Sequence, residues 1–475
     1  MPALTETTRT AFTMPTYNLI LDSDSYKASH FLGYPPGTQY VYSYIESRGG
    51  IYPEVMLFAL QRVLHKLQQG FTLADVDEAE AFCAEHGVVF NGEGWRSMFA
   101  KYNGQVPVRI KAIDEGLLVT VRTPLVTLEN TDPEFPWLTS YLETMLLRDI
   151  WYGSTVATRV FGMKKRIKAV FDRTSDNPVS PFALLDFMAR GVAGYDANLI
   201  AASAYLTSFM GSDSMAGVRD CNAHYFSKMS GFSISATEHS IMCAYGRDAK
   251  GDKIETFQHL LSAMGRRDNP LSIVSDTWDI FNAVDMWCSL ADDIKAAGIT
   301  LVIRPDSGDM EQVLRAILPK IKAAFGGTLN SKGFMVLDSV KVLWGDGINE
   351  TTCDLPFRVA EDLGIAADSI MVGSGGGIAM ADMDRDTAKW AMKAAQMFIN
   401  NQIVEIRKDP ITDPGKSSKA GRFAVVRHDD GSFETVNIGP DEFVAHDMLG
   451  IVFENGTTFD ETTIDQIRER IDAQL

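Results

Sequence analysis

The 475-residue sequence predicts an α/β protein: an irregular, TIM-like α/β barrel with a second, mixed α+β domain built from both chain ends. Three observations lead there. From about residue 155 onward, short apolar runs end in polar or glycine-rich turns and feed helical segments, the pattern of parallel βα units. Before that point, strand-like runs follow one another. After about residue 395 strand-like runs return, as if the end of the chain packed back onto its beginning. Five or more βα units favour a closed barrel, although an open parallel sheet would carry the same pattern.

In chain order, residues 1–16 are a loose polar tail, and 17–154 together with 395–475 form the mixed domain. Its first part holds the strand-like "YVYSYIES", "RIKAI" and "LLVTVR" and the helical "FALQRVLHKLQQ". Residues 155–394 are the barrel, opened by "ATRVFGMKKRIKAVFDRT", whose apolar residues recur at helical spacing. The βα units then follow: "ALLDF" into "MARG", "LSIVSDTWD" into "IFNAVDMW", "TLVIRPDSGD" into "MEQVLRAILPKI", "VKVLWGDGIN", and "SIMVGSGGG" into a helical stretch around "DTAKWAMKAAQMF". "GRFAVVRHD" and "GSFETVNIG" read as strands and "ETTIDQIRERIDAQ" as the last helix.

With 45% hydrophobic and 22% charged residues the chain can bury a sizeable core. A net charge of −18 argues against nucleic acid or an anionic membrane surface as the main partner. The five cysteines are scattered with no CxxC pair, the usage of reduced thiols in a cytoplasmic protein. The first residues hold no apolar signal core, and no apolar run reaches the about 18 residues of a membrane span.

Function in a parallel α/β architecture collects at the carboxyl ends of the strands. Those ends hold Asp186 to Arg190, Asp276 with Asp279, Arg304, Asp306 and Gly308, Gly345 to Gly347, and Ser374 to Gly377. Consecutive glycines let bare N–H groups converge on an oxyanion, and a helix starting behind them would add partial positive charge. A tight turn with no ligand is the bland alternative, weakened by GDG one strand earlier and RPDSG before it. Arg304 and Asp306 suit a sugar phosphate, the guanidinium for phosphate and the carboxylate for hydroxyls; a structural ion pair would use the same residues. Asp276 reads as an N-cap for the helix that follows. His239, beside Glu238, is the one histidine of the eight with local chemistry. Arg385, Lys393, Lys408, Lys416, Lys419 and Arg422 form a late basic group, either a solvated loop or a clamp on a di- or triphosphate.

The stretches "DSDSYKASHFLGYPPGTQYVYSYIESRGG", "LLDFMARGV", "GSDSMAG", "ATEHS", "SIVSDTWDI", "IRPDSG", "GDGI", "GSGGG" and "KDPITDPGKSSKAGR" resemble, in this order, the nicotinamide phosphoribosyltransferase family, from about residue 17 to near the end. The resemblance implies synthesis of nicotinamide mononucleotide and pyrophosphate from nicotinamide and phosphoribosyl pyrophosphate, in NAD salvage. It implies a homodimer whose active sites are shared between subunits. Phe187 and the partner's Tyr26 would sandwich the pyridine ring, and Asp213 would accept from the carboxamide. Arg304 and Asp306 would hold the ribose phosphate, with Gly345, Asp346, Gly375 and Gly376 lining the phosphate pocket. Arg190 and His239 would meet the diphosphate from one side, and Arg48, Arg385, Lys393, Lys408 and Lys416 from the other subunit. His239, Asp279 and Asp306 would be the catalytic groups. His239 would be phosphorylated by ATP, and Mg²⁺ would arrive with the diphosphate near Asp279 and Asp306 without an assigned protein ligand. The rivals are a nicotinate phosphoribosyltransferase, a non-catalytic nucleotide-binding or signalling relative, and a barrel sugar-phosphate isomerase or aldolase.

Overall fold

The computed structural model describes residues 16–412, 417–439 and 442–475. The predicted tail therefore lies, but for Thr16, outside the described residues. Two seven-stranded sheets organise the rest. One is antiparallel and takes strands from both chain ends, in the order Gln402–Glu405, Trp390–Ile399, Thr38–Ser47, Val126–Asn130, Val108–Ala112, Gly450–Glu454, Thr457–Thr458. The other is parallel, in the order Gly211–Ser212, Leu184–Asp186, Ile370–Ser374, Val340–Trp344, Thr300–Arg304, Pro270–Val274, Ser235–Ala236.

The strand compositions explain the difference. Leu301, Val302 and Ile303 are all fully buried, as a strand covered on both faces requires. Val108–Ala112 instead alternates buried and half-buried residues, with one face inward. Each sheet has its own hydrophobic core. The 32-residue helix Glu143–Thr174 joins them: Met145, Leu146 and Ile150 pack in the antiparallel core, and Val156 to Phe171 in the parallel one.

The parallel sheet curls. A single parallel bridge, Gly211 to Phe232, brings the chain just before Ser235–Ala236 beside the far edge strand. The result is a curled parallel half-barrel beside a separate antiparallel sheet, coarser than the closed TIM-like barrel expected. The helix expected around 386–398 is not formed. Trp390–Ile399 is a strand, antiparallel to Thr38–Ser47. Trp390 and Met392 are buried while Ala391 and Lys393 are half-buried, a strand's alternation, and pairing with an open sheet edge overrides the helical spacing of the segment. The expected boundary at 394/395 thus falls inside this strand.

A buried acid sits where the pieces meet. Glu115 is 6% exposed, and its Oε1 accepts the Gln61 N–H at 2.9 Å. Burial pushes its carboxyl up to about 7. Its folded value exceeds its unfolded one, so the stabilisation it lends is full below the unfolded pKa and is lost as pH rises through about 7. Glu115→Gln keeps an acceptor for Gln61 and should raise Tm by about 2–4 °C at pH 8 with no gain at pH 4. An equal shift at both pH values would contradict a buried charge as the cause.

Candidate active site

Phe187 lies one residue beyond the strand Leu184–Asp186, and its N–H donates to Ser374 O at 2.9 Å. Its ring fills the space left by Gly373, where a Cβ would stand 2.1 Å from Phe187 Cε2. The Arg304 guanidinium is 5.8 Å from the ring centroid. Beside the ring, a cavity of about 370 Å³ is lined by Leu185, Ser212, Asp213, Ser233 and Arg304 among others. Asp213 Oδ1 accepts from Ser233 Oγ at 2.6 Å. The slot is apolar along its sides and carries a carboxylate on its wall, dimensions and chemistry that suit a flat ring with a hydrogen-bond donor. A larger open groove of about 820 Å³, between Tyr17, Asp22, Arg148 and Met380, holds none of the expected site residues.

Next to the slot, acids and a histidine form a chain of contacts. Arg304 Nη2 lies 3.5 Å from Asp306 Oδ2. The Asp306 N–H donates to Asp276 Oδ2 at 3.0 Å, and Ser307 Oγ donates to the same oxygen. Asp276 Oδ1 is 3.1 Å from His239 Nε2. Only 4% of the Asp276 side chain is exposed, against 47% of His239, so a buried anion props an accessible imidazole. Burial raises the Asp306 carboxyl above its ordinary range; Arg304 opposes the shift, and Asp276 and Asp346 add to it.

Here the structure exchanges two expected roles. Asp279, expected among the catalytic groups, caps the helix Ile280–Ser289, its Oδ1 accepting the N–H of Phe281 and Asn282. Asp276, read as the cap, is the carboxylate bonded to His239. Position decides: a cap stands directly before the first helical residue, whereas Asp276 is two residues past the strand Pro270–Val274, at the mouth of the curled sheet. That spacing was a usable signal. Ser233, also missed, carries none in the sequence beyond its place before a strand.

Gly345 is bare for a reason visible in space: a Cβ there would lie 2.2 Å from Asp306 Oδ1. Gly345→Ala should therefore displace the Asp306 carboxylate and, with Asp306 meeting the substrate as expected, lower kcat/KM by about tenfold or more, the cost of a reacting-site group moved by about 1 Å. Unchanged kinetics in folded protein would remove Asp306 from the site. Gly375 and Gly376 follow the strand Ile370–Ser374 in a turn, not the helix start expected, with Met380 N–H donating to Gly376 O at 2.7 Å. Any anion held there would be met by turn N–H groups without a helix dipole. The Phe187 to Gly191 turn packs on this one, the Cβ direction of Gly191 reaching 3.2 Å from Gly376 N. Arg190, exposed, stands on that turn, and Asp346 follows Gly345.

Arg48, Arg385, Lys393 and Lys408 form a second group, on the antiparallel side. Burial lowers the Lys393 ammonium, and the charges of Arg48, Arg385 and Lys408 lower it further, so the four share one neighbourhood. Lys419 shares Glu46 with Arg48, one on each carboxylate oxygen, while Arg422 turns away to Glu129. Tyr26 is 59% exposed, its ring 5.3 Å from that of His30. Lys416 lies outside the described residues.

A slot for a flat ring, opening onto an Arg–Asp pair, a propped histidine and two glycine turns, has the requirements of an enzyme that joins a heterocycle to a sugar phosphate. Comparison with known proteins agrees. Residues 182–456 match the family model of nicotinate phosphoribosyltransferase (NAPRTase), and residues 18–110 match that of the nicotinamide phosphoribosyltransferase N-terminal domain. The chain belongs to the nicotinate phosphoribosyltransferase family, on the side of it that carries this N-terminal domain. It is 39% identical over 467 residues to the nicotinamide phosphoribosyltransferase of Xanthomonas campestris, covering 96% of this chain and 98% of that one. With the nicotinamide phosphoribosyltransferase of Acinetobacter baylyi it shares 32% over 496 residues, covering 95% and 96%. In fold it resembles the nicotinate-nucleotide pyrophosphorylase of Pyrococcus furiosus (TM-score 0.63, 15% identity, 98% of each chain). It also resembles human nicotinic acid phosphoribosyltransferase (TM-score 0.59, 16% identity, 95% and 93%).

Proposed function

We propose that this chain makes nicotinamide mononucleotide and pyrophosphate from nicotinamide and phosphoribosyl pyrophosphate, in NAD salvage, with ATP hydrolysis coupled to synthesis through a phosphohistidine at His239. The observation that carries this reading is Asp213 on the wall of the ring slot, with one carboxylate oxygen engaged by Ser233 and the other available to a carboxamide NH₂. A carboxylate substrate would meet like charge at that point.

The pyridine stacks on Phe187, and Tyr26 of the partner subunit covers its other face in a homodimer with shared sites. Asp306 accepts from ribose hydroxyls, and Arg304 holds the phosphate. Gly345, Asp346, Gly375 and Gly376 line the phosphate pocket. The pyridine nitrogen's lone pair forms the bond to C1 while the C1–O bond breaks and pyrophosphate leaves with that electron pair. Arg190, and from the partner subunit Arg48, Arg385, Lys393, Lys408 and Lys416, take up the charge that grows on the leaving group. With Asp276 accepting from Nε2–H, the His239 lone pair is on Nδ1, the atom that would attack the γ-phosphorus of ATP as the bond to the β,γ-bridging oxygen breaks and ADP leaves with that electron pair. The curled sheet is read as working as a closed barrel, with the Gly211–Phe232 bridge as its seam.

Among the described residues no three His, Cys, Asp or Glu side chains are grouped to hold a metal ion. Mg²⁺ would be carried in by the diphosphate and would neutralise charge there, with Asp306 among the carboxylates that could hold it. No helix among the described residues is long and apolar enough to cross a membrane. The scattered free thiols suit a cytoplasmic enzyme. Product analysis by mass spectrometry tests the reading, with phosphoribosyl pyrophosphate, Mg²⁺ and either nicotinamide or nicotinate, each with and without ATP. Nicotinamide mononucleotide raised by ATP is expected; nicotinate mononucleotide as the main product would overturn the role of Asp213, and no product would overturn the reaction.

A further inference from the structure

The turn that carries Gly375 and Gly376 is held from behind. Arg159, on the helix Glu143–Thr174, is only 3% exposed. Its Nη1 donates to Ile378 O at 3.3 Å, in the middle of the turn, and to Ala381 O at 2.8 Å near its end. Its Nε donates to Tyr52 Oη at 3.2 Å and lies 3.4 Å from Glu350 Oε2. Tyr52 Oη in turn donates to Glu350 at 2.9 Å. Glu350 belongs to the other glycine-bearing loop, three residues past Gly347. The two loops also meet directly, since Ser374 Oγ donates to Ile348 O at 2.6 Å.

We propose that Arg159 is a positioning residue for phosphoribosyl pyrophosphate: it clamps the Gly345–Glu350 and Gly375–Ala381 loops into one anion-binding edge and ties that edge through Tyr52 to the antiparallel half. An anion site built from backbone works only if the N–H groups face the ligand and the carbonyls turn away. A fixed guanidinium does this, because its planar fork takes several acceptors at once and keeps its charge when buried. Lysine could hold one of the carbonyls but not the fork, and a loop carbonyl left unpaired would be free to swing toward the phosphate it must not face. Arg159 is buried behind the loops with its donors turned to their carbonyls and to Tyr52, so its effect passes through the loops.

This inference rests on the reading of the glycine turns as the phosphate pocket. The test compares wild type with Arg159→Lys and Arg159→Gln in steady-state kinetics, varying each substrate in turn, with Tm as a check on folding. The expected result is a KM for phosphoribosyl pyrophosphate raised about tenfold in Arg159→Gln and less in Arg159→Lys, with the KM for nicotinamide within about twofold of wild type. A merely structural role would not separate the two constants. Hydrogen exchange supplies a readout independent of turnover: amides 376–381 should exchange faster in Arg159→Lys, and phosphoribosyl pyrophosphate should protect them in wild type. An unchanged KM for phosphoribosyl pyrophosphate, or equal rises for both substrates, would overturn the clamp. Wild-type protein that forms no product and gains no protection would instead overturn the reading beneath it. Should Arg159→Gln fail to fold, the comparison of Arg159→Lys with wild type decides alone.

Discussion

His239→Ala should abolish the stimulation of nicotinamide mononucleotide synthesis by ATP while leaving an ATP-independent reaction. On the proposed reading His239 would take the γ-phosphoryl group, whereas ribosyl transfer itself would depend on Phe187, Arg304 and Asp306, which the substitution does not touch. Asp276→Asn is the sharper probe. It keeps the shape of the group that props His239 but removes the charge that would balance a phosphorylated or protonated ring. The same Asp→Asn change in an acid–histidine–serine triad costs about 10⁴-fold in rate, so the initial rate at which γ-labelled ATP phosphorylates the protein should fall by at least about 10²-fold. Asp279→Asn, which alters a helix cap instead, should cost stability of about 1 kcal/mol or less and little coupling. If Asp279→Asn were to lose phosphorylation while Asp276→Asn kept it, the exchange of roles described above would be wrong.

The second large effect concerns choice of ring. Asp213→Ala is expected to collapse the preference for nicotinamide over nicotinate. Two carboxylates about 4 Å apart repel by about 1 kcal/mol in water and about 4 kcal/mol at an effective dielectric of 20, a change in selectivity of about fivefold to 10³-fold. Asp213 stands exposed at the wall of the slot, and how far a bound ring shields it sets where in that range the ratio falls. The ratio of kcat/KM for the two substrates is the measurement, and an unchanged ratio would discard Asp213 as the selector. Ser233→Ala should move the ratio in the same direction but less, since it only frees Asp213 Oδ1 from its partner.

Much of this site was legible before any coordinates. The strand ends bring Asp186 to Arg190, Arg304, Asp306 and the glycine turns to one rim, because a parallel strand places whatever follows it there, while Phe187 itself is singled out by the family resemblance. What went wrong was local ambiguity. Asp276 and Asp279 are both acids after one strand, and the helix start decides between them by a few ångströms. The segment 386–398 satisfies a helical and a strand pattern together, and only the free edge of Thr38–Ser47 resolves it. Arg159 could not be found at all. It sits mid-helix among apolar neighbours, and its partners are distant in the chain, Tyr52 107 residues before it and the carbonyls of Ile378 and Ala381 219 and 222 residues after it.

By itself, then, the sequence determined the βα rhythm, the acidic and reduced character of the chain, and the chemical types gathered at one rim, since each follows from residue order over short spans. Only the tertiary structure decided which carboxylate props His239, why Gly345 and Gly373 must lack a Cβ, and how Arg159 binds two loops together. Those are contacts between side chains far apart in sequence, and local propensity carries no information about them until the two sheets have packed.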